Sequence, residues 1–371
     1  MSKKRIIISV TNDLVSDQRV HKVATTLQNN GFSVLLVGRK LKNSLPISDR
    51  IYKTKRMKLL FSKGAMFYAE YNFRLFLFLI FHRSNYLLSN DLDSLLANYF
   101  ASKLLKRKLI YDSHEFFTQV PELVNRPKVQ KIWLKIEKFI LPKLKNAYTV
   151  CDSIALEYKK LYGVDFKVVR NLPNRIFSKS DLKNPFPADK SIILYQGAVN
   201  VSRGLELMIE AMQFIENSLF VIVGKGDIDE YLKAFAIKIG VSEKVLFVGK
   251  IPFEDLPKYT QNAHLGISIE ENLGLNYYYA LPNKLFDYIQ AKVPVLVSDF
   301  PEMKKIVETY KVGDVLIERT SEKLAEKVNK ILILNKQNVE LKENLQFAAN
   351  QLIWENEEEI LLNLFSTKTT K

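Results

Sequence analysis

Short runs rich in Val, Ile and Leu alternate with helical patterns along nearly the whole chain, and this alternation restricts the fold more than any single motif does. Strands are expected at residues 5–10, 33–38, 86–89, 109–111, 147–151 and 167–169, with helices at 16–29, 93–105, 128–144 and 153–162. The rhythm then repeats. Strands are expected at 192–195, 219–223, 245–248, 265–269, 294–297 and 315–317, with helices at 204–215, 228–239, 253–262, 283–290, 302–310 and 321–334. Near-continuous apolar strands separated by helices belong to parallel sheets covered on both faces. Residues 171–190 carry Pro173, Pro185 and Pro187 among polar neighbours and read as a linker. Two doubly wound, Rossmann-like α/β domains follow, 1–172 and 190–351, and two such sheets facing one another would form a cleft. The last helical stretch, 338–365, has no strand after it, so residues 352–371 are expected to return to the first domain.

Composition narrows the function. With 371 residues, 47% hydrophobic and 26% charged, the chain can fill two cores and is not of the disordered class. Its longest apolar run, 75–81, is far short of a membrane span, and residues 1–30 lack a secretory pattern, so a cytoplasmic location is expected. One cysteine, Cys151, and four histidines give no disulfide and no zinc-ligand pattern.

Charge is uneven. Residues 1–170 hold 31 Lys+Arg against 13 Asp+Glu, a net of +18, whereas the rest of the chain has a net of −3. One half is thus suited to an anionic surface. No nucleic-acid-binding signature is present, so a membrane surface is the expected partner, met peripherally on the inner face. Residues 52–83 mix Lys53, Lys55, Arg56, Lys58 and Lys63 with Phe61, Phe67, Tyr68, Phe73, Phe76, Phe78 and Phe81. Those aromatics either dock on lipid headgroups or form the buried face of a helix.

The chemistry-bearing residues concentrate in the second half. Residues 281–298, LPNKLFDYIQAKVPVLVS, place Lys284 and Asp287 three apart on one helix face. Just before lies the loop Glu270, Glu271, Asn272, Leu273, Gly274. A small-residue loop, a helix N-terminus and a cation suit a phosphate, and a carboxylate suits sugar hydroxyls. In the stretch 197–204, Gly197 allows a turn and Arg203 can reach phosphate oxygens bidentately. Residues 219–227, LFVIVGKGD, place Gly224 and Gly226 after a strand, a weak signal alone.

Taken in order, GxxxxxRG, LFVIVGKGD, VLFVGKIPFEDLPKYTQNAHLGISIEEN and PNKLFDYIQAxxPV resemble the retaining glycosyltransferases of family 4, of the GT-B fold. The first half fits more loosely, through residues 10–39, YDSHEFF at 111–117, 149–158 and VVRNLPN at 168–174. The resemblance implies a C-terminal domain that holds the nucleoside diphosphate and an N-terminal domain that receives the acceptor, with no catalytic metal. It implies that Arg203 grips the diphosphate and that Asp287 binds ribose hydroxyls. Glu270 or Glu271 would contact the transferred sugar, although the loop between is longer than the family's usual seven residues. Gly197, Gly224, Asn272, Gly274 and Lys250 would line the donor site, and His114 would lie close to the donor sugar.

Ala198 stands where many members carry a second phosphate-binding arginine, and Lys284 is the expected replacement. Lys292 stands where a helix-capping glycine is usual. Asp91 is expected to line the acceptor cleft and Asp93 to cap a helix. The implied activity is transfer from a UDP- or GDP-sugar to a glycan or lipid-linked acceptor, in cell-surface polysaccharide or glycolipid synthesis. A sugar-nucleotide epimerase of the same fold and a non-catalytic sugar-nucleotide or membrane-binding module are the alternatives. An NAD enzyme is disfavoured, because the first strand runs into Thr11-Asn12-Asp13 and not into GxGxxG.

Overall fold

The structure, a computed structural model, describes residues 3–15, 17–175 and 183–366. Ser16 of the first expected helix, residues 176–182 of the expected linker and residues 367–371 of the returning segment lie outside the described residues. The chain divides into two compact units, Met1–Asn171 with Glu357–Lys371, and Leu172–Asn356.

The first unit runs β1 (Arg5–Asp13), α1 (Gln18–Asn29), β2 (Ser33–Lys40), β3 (Lys53–Lys58), α2 (Gly64–Phe81), β4 (Tyr86–Asn90), α3 (Asp91–Leu104), β5 (Lys108–Ser113), α4 (Pro121–Val124), α5 (Pro127–Ile140), β6 (Ala147–Thr149), α6 (Asp152–Tyr162) and β7 (Lys167–Val168). Its strands form one parallel sheet in the order β3-β2-β1-β4-β5-β6-β7. The sequence reading passes over β3, Lys-Thr-Lys-Arg-Met-Lys, in which Met57 alone is buried. It is an edge strand, and lysines on an edge discourage pairing with other chains.

The second unit runs β8 (Ser191–Gln196), α7 (Leu205–Ala211), β9 (Ser218–Val223), α8 (Asp229–Lys238), β10 (Val245–Gly249), α9 (Leu256–Thr260), β11 (Leu265–Ser268), α10 (Leu275–Tyr278), α11 (Asn283–Gln290), β12 (Val295–Ser298), α12 (Pro301–Tyr310), β13 (Gly313–Leu316), α13 (Ser321–Gln337), α14 (Val339–Gln351) and the first residues of α15 (Trp354–Phe365), whose remainder belongs to the first unit. Its parallel sheet has the order β10-β9-β8-β11-β12-β13, with one apolar core on each face. Both units are thus Rossmann-like α/β layers, as the alternation of strands and helices requires.

The unit boundaries differ from the expected ones. Leu172 and Phe186 are buried in the second core, which draws both flanks of the expected linker into that unit. Leu352 is buried there as well, so the return begins within α15, at Glu357 and not at 352. Glu357 accepts hydrogen bonds from the Arg170 backbone and guanidinium at 2.6–2.9 Å, and the Phe365 carbonyl accepts from Tyr86 Oη.

The buried-face reading of residues 52–83 holds for one side of α2. Phe67, Tyr71, Leu75 and Leu79 are buried. Phe73 and Phe81 on the other side are 64% and 80% exposed. Among the described residues no helix is long and apolar enough to cross a membrane.

Candidate functional site

Strand order reverses beside β1 and β4 in the first unit and beside β8 and β11 in the second. The carboxyl ends of such strand pairs are where doubly wound sheets bind ligands.

In the second unit, β8 ends on Gln196, and residues 197–204 carry the chain to α7. Gly204 brings this loop against the end of β11, where a Cβ would collide with the Ile269 carbonyl. Gly224, with φ +153°, lies against the backbone of Gly197, leaving no room for a Cβ there either. Both glycines are therefore needed for close backbone approach before any ligand is considered.

Arg203 projects from this loop with its guanidinium carbon 5.3 Å from the centre of the Tyr277 ring. Its Nε is buried and has no hydrogen-bond partner. Lys284, on the first turn of α11, is engaged by the protein itself. Its Nζ lies 2.6 Å from Glu270 Oε1 and 4.1 Å from the Tyr195 ring centre. Glu270 also accepts from Ser268 Oγ at 2.9 Å. Burial alone would raise the Glu270 pKa, but the Lys284 ammonium outweighs it and holds the carboxyl below its usual range. Burial pulls Lys284 down, with Arg203 adding to that against Glu270. Lys284 and Arg203 are thus close enough to repel one another.

Asp287, one turn further on, accepts from Gln196 Nε2 at 2.9 Å, and Gln196 Oε1 accepts from Thr260 Oγ1 at 2.8 Å. Glu271 is half-exposed, with its N–H donated to the Ser202 carbonyl. The expected anion-binding amides of 272–274 are largely committed. Leu273 N–H donates to the Glu271 carbonyl and Gly274 N–H to Asn272 Oδ1. The short α10 also intervenes between this loop and α11. Lys250 is exposed beyond β10, the edge strand of the sheet. Gly197, Arg203, Glu270, Lys284 and Asp287 are thus gathered around the ends of β8 and β11, and Lys250 stands apart from them.

Three residues of this cluster have no part in the sequence reading. Gln196 aims Asp287, and its place before Gly197 at a strand end was a readable cue. Tyr195 underlies Lys284. Arg319, after β13, donates to the carbonyls of Ile269 and Glu270 and fixes the end of β11 from two strands away, for which the sequence carries no signal.

In the first unit, β5 delivers Asp112 and His114. Arg19 makes a two-point contact with Asp112 at 2.9 and 3.1 Å. His114 Nε2 lies 3.0 Å from Asp112, and Nδ1 lies 3.3 Å from Asp91. The His114 N–H also donates to Asp91 Oδ1 at 2.8 Å. Burial opposes a charged imidazole, but Asp91 and Asp112 prevail and raise His114 to about 9. Asp112 is buried, which would raise it, yet Arg19 and His114 hold it near 2. Burial pushes Asp91 up to about 7, against His114. Asp91 has φ +55°, a left-handed conformation uncommon outside glycine and typical of functional junctions.

Asp93 does not cap α3 as expected, because Asn90 occupies the N-cap position. Its Oδ2 accepts from Thr11 Oγ1, while Oδ1 is buried without a partner. Burial raises its pKa to about 6, against the Thr11 hydrogen bond.

Residues 177–346 match the family model for glycosyl transferases group 1. An uncharacterized glycosyltransferase of Methanocaldococcus jannaschii, MJ1607, is 28% identical over 149 residues, 39% of this chain. The matched stretch spans 36% of that relative's length. Two solved structures share the fold over 98% of this chain. Sucrose-phosphate synthase from Thermosynechococcus elongatus superposes with a TM-score of 0.82 at 16% identity, over 98% of its own chain. Alr3699/HepE of Anabaena, solved in complex with UDP, gives 0.74 at 13% identity over 100% of its chain. The two units therefore have the architecture of GT-B glycosyltransferase structures.

Proposed function

We propose that the protein is a retaining glycosyltransferase that moves a sugar from a UDP- or GDP-sugar to an acceptor hydroxyl without a catalytic metal. The observation that carries this reading is Arg203, a half-buried guanidinium at the carboxyl end of β8 whose buried Nε has no partner. A buried donor without an acceptor is costly, and a diphosphate would supply one. The group 1 match over 177–346 and the UDP complex of HepE support the same assignment.

Glycosyl transfer builds positive charge on the sugar ring and negative charge on the departing diphosphate. Arg203 meets that negative charge directly. Lys284 contributes from within its pair with Glu270, so the site depends chiefly on one arginine. Asp287, aimed by Gln196, accepts from the ribose hydroxyls. Glu271 takes the transferred sugar's hydroxyls, since Glu270 is committed to Lys284 and Ser268. The bond from the anomeric carbon to phosphate breaks as that to the acceptor oxygen forms on the same face. The acceptor proton passes to the departing phosphate. His114 stays cationic between its two carboxylates and acts through its charge.

Peripheral binding to an anionic membrane belongs to the same reading, supported by the exposed Phe73 and Phe81 of α2 and by the charge of the first 170 residues. A thermal-shift panel tests the donor assignment. UDP or GDP should raise the melting temperature, and more than ADP or dTDP, because a ligand bound to the native state stabilises it by mass action. No shift with any nucleoside diphosphate would overturn it. Slow hydrolysis of the matching nucleotide-sugar without acceptor distinguishes transfer from epimerisation and from binding alone.

A further inference from the structure

Helices α2, α3 and α5 of the first unit enclose a groove of about 1370 Å³. Ala65 and Ala69 of α2 leave it open, and Phe73, Phe100 and Ile132 line it while 46–64% exposed. It follows α3 from Asp91 and Asp93 in the first turn to Lys103 and Leu104 in the last, roughly 18 Å at 1.5 Å per residue. A concave groove of this size lined by exposed aromatic and aliphatic side chains with a few polar groups has the form of a ligand site.

Two polar features say what occupies it. Asp93 lines the groove, and its Oδ1 is buried without a donor, although buried polar atoms are almost always paired. Asp91, Glu115 and Glu122 line the groove too, against the cations Arg126 and Lys103 and with His114 paired to Asp91, so carboxylates predominate and an anionic head is disfavoured. At the other end Lys103 and Lys143 lie 5.5 and 6.0 Å from the Tyr99 ring centre, placing cations where a chain leaving the groove would enter an anionic bilayer surface. One end therefore asks for a neutral hydroxyl donor, the middle for an aliphatic chain, and the far end for a membrane.

We propose that the groove binds a lipid acceptor with a neutral, hydroxyl-bearing head, the hydroxyl donating to Asp93 and the chain lying between α2, α3 and α5 to emerge beside Lys103 and Leu104. The word acceptor rests on the sugar-transfer reading above; the lipid binding itself does not.

Calorimetry with the full chain and butyl to nonyl β-glucosides, each below its micelle concentration, tests the proposal. Affinity should rise about fourfold per added methylene, the increment expected for burying a CH₂. Ala69→Trp, which fills the groove from an exposed helix position, should stop that rise at a shorter chain. Asp93→Ala should weaken every glucoside by about tenfold, one hydrogen bond to a charged group, and leave the increment per methylene intact. Affinity that is flat across the series, or a rise untouched by Ala69→Trp, overturns the proposal. A polyprenyl phosphate that displaces the glucosides better than the neutral polyprenyl alcohol overturns the neutral head. Melting temperatures of the same samples, with and without UDP or GDP, report folding of the variants. No thermal shift with any nucleoside diphosphate, with the chain-length series intact, would sink the transfer reading and leave the lipid site standing.

Discussion

The two units solve the same construction problem with opposite chemistry. Each is a parallel sheet with charged residues at the carboxyl ends of its central strands. In the first unit, Arg19, Asp112, His114 and Asp91 form a chain of alternating charges, and beside it one carboxylate oxygen, Asp93 Oδ1, is buried without a partner, as are the Arg39 and Arg50 Nε atoms of the same unit. In the second, Lys284 and Glu270 neutralise one another, and the atom left over is a donor, Arg203 Nε. A leftover acceptor suits a hydroxyl, and a leftover donor suits an anion. The contrast teaches that charge counts alone misplace the sites. The strongly basic unit ends in a carboxylate-lined groove, and the near-neutral unit holds the phosphate-seeking arginine.

The comparison breaks most easily at Arg203. Arg203→Ala should reduce turnover a hundredfold or more, roughly 3–4 kcal/mol of barrier, and weaken nucleoside diphosphate binding with it. Arg203→Lys should recover part, because charge survives while the two-point fork is lost. Ala198 supplies no second arginine, so the loss should exceed that in a site with two. Wild-type turnover and nucleotide affinity in a folded Arg203→Ala protein would place the phosphate site elsewhere.

The pair beside it sharpens the contrast through stability. Glu270→Gln leaves the buried Lys284 ammonium without a counter-charge and should destabilise the protein by about 3 kcal/mol, measured by denaturant unfolding. Adding Lys284→Met should restore part of that, because an apolar side chain no longer needs a partner. If Glu270→Gln costs nothing, Lys284 is solvated or bound to something other than Glu270.

Sequence made the second sheet legible because its central strands are buried on both faces and therefore mostly apolar, as in Leu-Phe-Val-Ile-Val of β9. It failed at β3, where an edge position permits lysines that erase the strand signature. It brought Lys284 and the acidic loop into one motif but could not choose between Glu270 and Glu271. One residue of register decides that choice. Glu270 turns inward at the end of β11, while Glu271 stays half in solvent. Gln196, Arg319 and the groove lined by Asp93 depend on which strands are neighbours, information that no local window holds.

The first unit's charge chain predicts a pH dependence that the second unit should lack. His114 binds its proton more tightly in the folded chain, with a pKa of about 9, than in the unfolded one, near 6.5. Its stabilisation is complete below the unfolded value and is lost as pH rises through 9. Asp91, raised to about 7, acts in the same direction at lower pH, since the native state again holds the extra proton. Stability should therefore fall by roughly 3 kcal/mol between pH 6.5 and 9.5. In His114→Gln the slope across that window should flatten. A wild-type protein equally stable at both ends of the window would mean that the imidazole is neutral.

The smallest effect lies in the second unit, away from both charge clusters. Lys292 follows α11 with φ +60°, donates its N–H to the Ile289 carbonyl and is exposed. A residue with a Cβ adopts that left-handed conformation at a cost on the order of 1 kcal/mol, which glycine avoids. Glycine also gives the unfolded chain more freedom, so the gain is partly offset. Lys292→Gly should therefore raise stability by up to about 1 kcal/mol, seen as a higher denaturant midpoint at unchanged slope. Nucleotide affinity should stay as it was, because the exposed ammonium touches none of Arg203, Lys284 or Asp287. A fall in nucleotide affinity at unchanged or raised stability would instead make Lys292 a further cation of the donor site, and would end the argument that Arg203 works there almost alone.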